Sequence, residues 1–320
     1  MELPIIDLDL FLSQPRDSIA VLQECEKAAD ALITYGALIL RDSRVAESDN
    51  DAFLDLLEDY FAQSQSDLQR DERPELSYQV GVTLENTERP KCAVDEPCLK
   101  IIERLEPSER PLDISAHSPD PKCRFFWKMG EGGDLADMAA TGLGIKPDTF
   151  RNAGKYGPHI LAPTASDLVK YGQKDNILAG FHTDLNFLTI HGRSRRRLPV
   201  KIPQGNYLLV QAGKQLEHIT GGLVKAGYHE VVVNDQTIEV IERRKVENPD
   251  RPLIRISSTF FWHLSSDYDL TPIPSLAERS QVLRASQIEL GQYVMDEPIY
   301  EPMKVGQQVQ NELKHIALMA

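Results

Sequence analysis

The chain has 320 residues, 41% of them hydrophobic and 26% charged, and a formal net charge of −14. These proportions describe a globular protein with a sizeable core and exclude a disordered or low-complexity chain. The negative balance disfavours nucleic acid, where phosphate contacts dominate affinity, and no apolar run reaches the roughly 20 residues of a membrane span.

The opening "MELPIIDLDLFL" carries acids inside its apolar stretch and no basic leader. This predicts a short strand over "LPIIDLDLFL" and a cytoplasmic protein. Cys25, Cys92, Cys98 and Cys123 form no CxxC pair, so neither a disulfide framework nor a thiolate zinc site is expected. "SQPRDSIAVLQECEKAADALITYG" has helical spacing at Ile19, Leu22, Ala28 and Leu32, with Gly36 as its stop. "ALILRDS" reads as a buried strand and "AESDNDAFLDLLEDYFAQS" as a second amphipathic helix. Residues 70–122 are rich in Pro, Glu and Asp and read as a loop-dominated excursion; "GDLADMAATGLGI" predicts another helix.

From His159 the texture turns to short β-rich runs: "HILAPT", "FHTDLNFLTIHG", "NYLLVQAG", "EVVVNDQTIEVIERRKV" and "LIRISSTFFWHL". Closely spaced strands predict a sandwich or barrel, and Asn234-Asp235 predicts a hairpin turn. Helix returns after Pro272. The cationic run "GRSRRRLPVK", with Arg193, Arg195, Arg196, Arg197 and Lys201, reads as a solvated turn; an anion-attracting rim is its alternative.

In "GFHTDLNFLTIHG", His182 and Asp184 are i and i+2 of a strand and project to one face. A neutral imidazole and a carboxylate there can chelate a divalent metal if a third ligand arrives. A core histidine bonded to a neighbouring aspartate explains the pair equally, and eight histidines with 49 acids in 320 residues give roughly one such match by chance. Two histidines could supply the third ligand. His229 opens a β-branched strand, whereas His218 sits beside "TGG", where a turn and solvent are expected. In "LIRISSTFF", Arg255 and Ser257 again share a face; an arginine in an apolar strand needs an anion, either an internal acid or a bound carboxylate.

Taken in order, "HTD", "LLVQAGKQLEHITGG", "KAGYHEVVVN" and "RIS", behind "LPIIDLDLFL" and "YGALILRDS", resemble the isopenicillin N synthase-like Fe(II)/2-oxoglutarate-dependent oxygenases over most of the chain. The resemblance implies an α+β fold: a double-stranded β-helix (jelly roll) core flanked by N- and C-terminal helices. Residues 1–150 would be a mixed helical region packed on a catalytic core of residues 151–320, as one functional unit. It implies His182, Asp184 and His229 as iron ligands, Arg255 with Ser257 as the 2-oxoglutarate anchor, and O2 as co-substrate. The expected reaction is hydroxylation, desaturation or ring rearrangement of a small organic molecule in secondary metabolism, without nucleic-acid or membrane partners.

Three departures stand out. Asp184 to Gly213 is a short interval of 29 residues, and the family's "GLQV" strand is hard to find. His229 to Arg255 is long at 26, which suggests an enlarged hairpin. Ala162 stands near the place of a family tyrosine that contacts 2-oxoglutarate. Substrate-facing candidates are Phe187, Gln79, Arg124, Phe126 and Trp127, each of which ordinary packing would also explain. A zinc-type hydrolase on the same triad lacks a His-Glu-x-x-His general base. A non-catalytic jelly-roll binding protein is the other rival.

Overall fold

A computed structural model describes residues 2–90, 92, 95–107, 110–113, 119–130, 132–192, 202–203, 205–292 and 299–315. The cationic run at 193–201 lies outside the described residues.

Strand β1 (Ile5–Asp7) is shorter than expected because Asp7 turns it into helix α1 (Leu8–Ser13), its carboxylate accepting from the Leu10 N–H. Helix α2 (Ile19–Tyr35) starts under a Ser18 cap and stops at Gly36, whose φ of 62° suits glycine. There follow β2 (Ala37–Arg41), α3 (Glu47–Phe61) and α4 (Gln65–Gln69). Residues 70–122 hold more regular structure than their composition suggests: a 3-10 turn (Pro74–Leu76), β3 (Gly81–Thr83) and α5 (Glu96–Arg104). Asp95 nucleates α5 by accepting from the Cys98 N–H. Cys92 and Cys98 are joined as a disulfide, a pairing that their spacing did not suggest. Next come β4 (Cys123–Lys128), α6 (Asp134–Gly142) and α7 (Thr149–Gly154).

The second half runs β5 (Ile160–Leu161), β6 (Thr164–Asp167), α8 (Leu168–Tyr171), β7 (Ile177–His182), β8 (Leu188–His191) and β9 (Tyr207–Ala212). Then come α9 (Lys214–Ile219), β10 (His229–Val232), α10 (Asp235–Glu247), β11 (Ile254–Ser257) and β12 (Thr259–Trp262). The chain closes with β13 (Asp269–Leu270), α11 (Pro274–Glu289), β14 (Met303–Lys304) and α12 (Val305–His315).

Two sequence expectations are corrected here. Asn234-Asp235 is no hairpin turn: the Asn234 side chain accepts from the Thr237 N–H at 2.9 Å and starts α10, so the long interval before Arg255 is a helical insertion. His218 is in α9, buried at 8% exposure, rather than in a solvated turn.

Ten strands form one sheet in the order β1-β2-β9-β8-β12-β5-β4-β6-β11, with β3 beside β4; every pairing is antiparallel except β1 with β2. Residues 1–150 thus supply β1 to β4 of this sheet. Helices α2 and α6 pack on it over a core that includes Leu32, Met138, Phe150 and Trp262. A second, two-stranded ribbon pairs β7 with β10. Among the described residues no helix is long and apolar enough to cross a membrane.

Candidate metal centre

The ribbon brings two histidines together. β7 and β10 pair so that His182 lies directly opposite His229, their ring centroids 4.4 Å apart. Register shifts follow at Val231 and Val232, the kind of irregularity that re-aims a side chain. Just before each histidine, Phe181 and Tyr228 stack at 5.1 Å, so the ribbon is held on its apolar side as well. Asp184 follows two residues after His182, in the loop to β8. That loop is clamped: the Lys214 N–H donates to the Asp184 carbonyl at 2.8 Å and the Gly213 N–H to the Phe187 carbonyl at 3.0 Å. A Cβ on Gly213 would lie 2.1 Å from the Asn186 carbonyl, so only glycine permits this approach.

One ligand atom from each of His182, Asp184 and His229 lies within 4.8 Å of the other two. The His182 Nδ1 faces the Gly180 carbonyl at 2.6 Å and the His229 Nδ1 faces the Gly227 carbonyl at 3.3 Å. Backbone acceptors at both Nδ1 atoms select the Nδ1–H tautomer and leave the two Nε2 lone pairs for a metal. The Thr189 hydroxyl donates to Asp184 Oδ2 at 2.7 Å, leaving Oδ1 beside the His182 Nε2 at 3.8 Å. This donor set fits a divalent transition metal.

Burial, then the neighbouring His229 and Lys122, pull His182 down to about 4 against the opposing charge of Asp184, so its imidazole is neutral near pH 7. Burial pushes Asp184 upward, but His229, His182, His191 and the Thr189 hydroxyl outweigh it, and the carboxylate ionises below its usual range. Behind His182 lies a buried ion cluster. Lys122 bridges Glu88 at 2.9 Å and Asp120 at 2.8 Å, and Asp120 accepts from the Gly180 N–H at 3.0 Å, steadying the residue whose carbonyl faces His182.

Arg255 and Ser257 lie on β11, opposite Ser166 and Thr164 of β6. Among the described residues no carboxylate pairs with Arg255, and burial alone pulls it down to about 10. Cross-strand partners share a face, so the register traces one inner row. Ser257 contacts Thr259 at 3.4 Å, Thr259 faces His191, and Thr189 faces Gln211.

Of the substrate-facing candidates, Arg124 and Phe126 share one face of β4, with Arg124 held by Glu88 at 2.5 Å and lying over the Phe126 ring at 5.2 Å. Gln79 is half-buried and donates back to the Ser77 carbonyl at 3.2 Å. Two candidates are corrected. Phe187 has 0% exposure and packs on Phe150 at 4.8 Å and Trp262 at 5.1 Å, so it belongs to the core. Trp127 is 60% exposed and, three residues from Arg124, sits on the opposite face of β4 beside Phe125. Sequence reasoning missed Thr189, His191 and Gln211. The alternation of "LTIH" and the lone polar residue in "YLLVQA" were their signals.

The structure is similar to solved ones over nearly its whole length. A 2OG-Fe(II) oxygenase family protein from Caulobacter crescentus matches with a TM-score of 0.64 at 15% identity, covering 98% of this chain and 99% of that one. A full-length Neurospora crassa protein in complex with alpha-KG gives 0.63 at 17% identity, with 98% and 96% covered. JOX2 in complex with 2OG, Fe and JA gives 0.60 at 16% identity, with 99% and 86% covered. No protein-family model and no curated protein matches the sequence. At these identities the likeness defines the fold: a mixed α/β chain on a large, mostly antiparallel sheet, shared with proteins of that description.

Proposed function

We propose that this protein is an Fe(II)/2-oxoglutarate-dependent oxygenase of a small organic molecule, its sheet and ribbon forming a double-stranded β-helix around the site. The observation that carries the reading is the meeting of His182, Asp184 and His229 with all three ligand atoms within 4.8 Å. Two imidazoles and one carboxylate leave coordination positions open for a 2-oxo acid and O2. A zinc hydrolase on the same triad would use Arg255 for a substrate carboxylate; it differs in turning over with Zn(II) alone and without an oxo acid.

Fe(II) with 2-oxoglutarate and O2 supplies the oxidising power, through oxidative decarboxylation of the oxo acid to succinate and CO2. The protein contributes geometry. His182 and His229 present Nε2, Asp184 presents Oδ1, and Thr189 and Asp120 hold them in place. Arg255, with Ser257 one pleat away, receives the distal carboxylate of the oxo acid as a planar fork. Arg124 and Phe126 offer a substrate one charged and one apolar contact. The Neurospora crassa protein is described with thymine and JOX2 with JA; molecules of that size set the substrate class, and a tailoring step of secondary metabolism in the cytoplasm is the setting this reading favours.

The test is to load the protein with Fe(II) anaerobically, admit air with 2-oxoglutarate and a panel of aromatic, amino-acid and terpenoid compounds, and measure succinate. Compound-stimulated succinate that vanishes in Asp184→Ala supports the reading. Full turnover in Asp184→Ala, or activity with Zn(II) alone, refutes it.

A further inference from the structure

The methyl side chain of Ala162 can make no hydrogen bond, and its N–H is committed to the Thr259 carbonyl, so an oxo acid needs its second contact from elsewhere. On the inner row, Gln211 stands on the interior strand β9, between β2 and β8, directly opposite Thr189 and Ala37. Thr189 is the residue that holds Asp184. Although its strand is paired on both sides, Gln211 is only half-buried, as expected of a side chain that borders a cavity. Its amide is not free to turn: the His191 Nε2–H donates to Gln211 Oε1 at 2.6 Å. His191 is steadied in turn by the Thr259 hydroxyl, 3.4 Å from its Nδ1. With Oε1 taken, the two N–H groups of Gln211 have no acceptor among the described residues. They lie in the surroundings of the site, since Asp184, His229 and Arg255 all act electrostatically on the adjoining His191. The Gln211 nitrogen is 3.7 Å from where a Cβ on Gly227 would lie, two residues before His229.

We propose that Gln211, oriented by His191, donates a hydrogen bond to the metal-end carboxylate of the bound 2-oxo acid, while Arg255 holds the far carboxylate. This inference rests on the oxygenase reading. Gln211 is a binding residue; His191 is a positioning residue that acts through it. A neutral amide suits this end of the ligand because the metal already balances that carboxylate's charge, whereas the far end, away from the metal, needs the cation.

The experiment is calorimetric titration of 2-oxoglutarate into full-length protein preloaded anaerobically with Fe(II), with Fe(II) affinity measured separately. Gln211→Leu is expected to raise the 2-oxoglutarate Kd about tenfold, the loss of one charge-assisted hydrogen bond. Gln211→Glu, which adds a repelling charge, should raise it further, and His191→Leu should raise it less than Gln211→Leu. Fe(II) affinity should stay within about twofold in all three, because none is a ligand. Gln211→Leu and Arg255→Met should act additively, as contacts at opposite ends of one ligand do.

An unchanged Kd in Gln211→Leu overturns the assignment and leaves the oxygenase reading standing. Parallel loss of Fe(II) and 2-oxoglutarate binding in Gln211→Leu also overturns it, by making the role structural. Failure of the loaded wild type to bind 2-oxoglutarate sinks the oxygenase reading itself, and this assignment with it.

Discussion

Arg255→Met separates binding from stability in opposite directions. Arg255 lies on the edge strand β11 with a single strand neighbour, β6, and no paired carboxylate among the described residues. A half-buried cation without a partner costs the apoprotein about 1–2 kcal/mol. Methionine keeps the length and removes the charge, so the apo variant should be more stable by that amount, a rise in Tm on the order of 1–5 °C. Arginine's folded-state value lies below its unfolded one, at about 10. The cost is therefore in full force below that value, fading only at higher pH, so the gain should appear throughout pH 6–9. With Fe(II) and 2-oxoglutarate that lead should shrink by about 1.8 kcal/mol. Loss of the carboxylate fork is expected to weaken 2-oxoglutarate about 30-fold. At about 100 times the wild-type Kd, ligand adds ~2.7 kcal/mol to the wild type and under ~1 kcal/mol to the variant. Thermal melts of both proteins, apo and with ligand, check the change in that lead. A lower apo Tm in the variant would refute the unpaired-charge argument, and equal stabilisation by ligand would refute the anchor.

Asp184→Ala should weaken Fe(II) binding at least about 100-fold with an unchanged far-ultraviolet spectrum, since it removes the one carboxylate ligand; calorimetric Fe(II) titration checks this. Glu217 steadies the turn from α9 towards β10, accepting from the Ala226 N–H at 2.9 Å and the Tyr300 hydroxyl at 3.0 Å, with Lys214 at 3.1 Å. Burial pushes its carboxyl up, but Lys214 and Lys225 outweigh it and the value falls below normal. Its contribution is present above about pH 4.5 and is lost as pH falls further. Glu217→Gln should cost about 1–3 kcal/mol at pH 7 and flatten the acid limb of stability, as read by urea unfolding from pH 7 to 3. Gly142 meets α2 so closely that a Cβ would sit 1.9 Å from the Cys25 carbonyl. Gly142→Ala should therefore cost about 1–3 kcal/mol despite alanine's better helix propensity, and a more stable variant would contradict that packing.

What the sequence reveals here follows the range of the interactions. His182 with Asp184, and Arg255 with Ser257, are legible because strand geometry puts i and i+2 on one face whatever the rest of the chain does. The same parity rule could have separated Arg124 from Trp127, which are three residues apart on one strand and cannot line one cavity. Phe187 escapes the rule: the alternation breaks between Asp184 and Leu188, where the chain turns before β8 resumes. In "VVVNDQTIEVIE" an unbroken run of three valines ends at Val233 and a spacing of three follows between Ile238 and Ile241, with the Asn234 cap marking the change. The buried ion cluster had no local signal. Lys122 and Glu88 meet across 34 residues, and their charges read as the solvated loop that composition alone suggests. Gln211 is the sharpest case. Its parity within β9 is plain in the sequence, but whether that parity faces the site depends on the pairing of Gln211 with Thr189 and of Thr189 with Phe261. A register slip of one residue at either pairing would turn Leu209 and Gln211 away and bring Val210 in. In the proposed site His182 and Asp184 are placed by local geometry, His229 by the pairing of β10 with β7 and Gln211 by the pairing of β9 with β8, so a substitution that shifts β9 against β8 should impair oxo-acid binding while sparing iron.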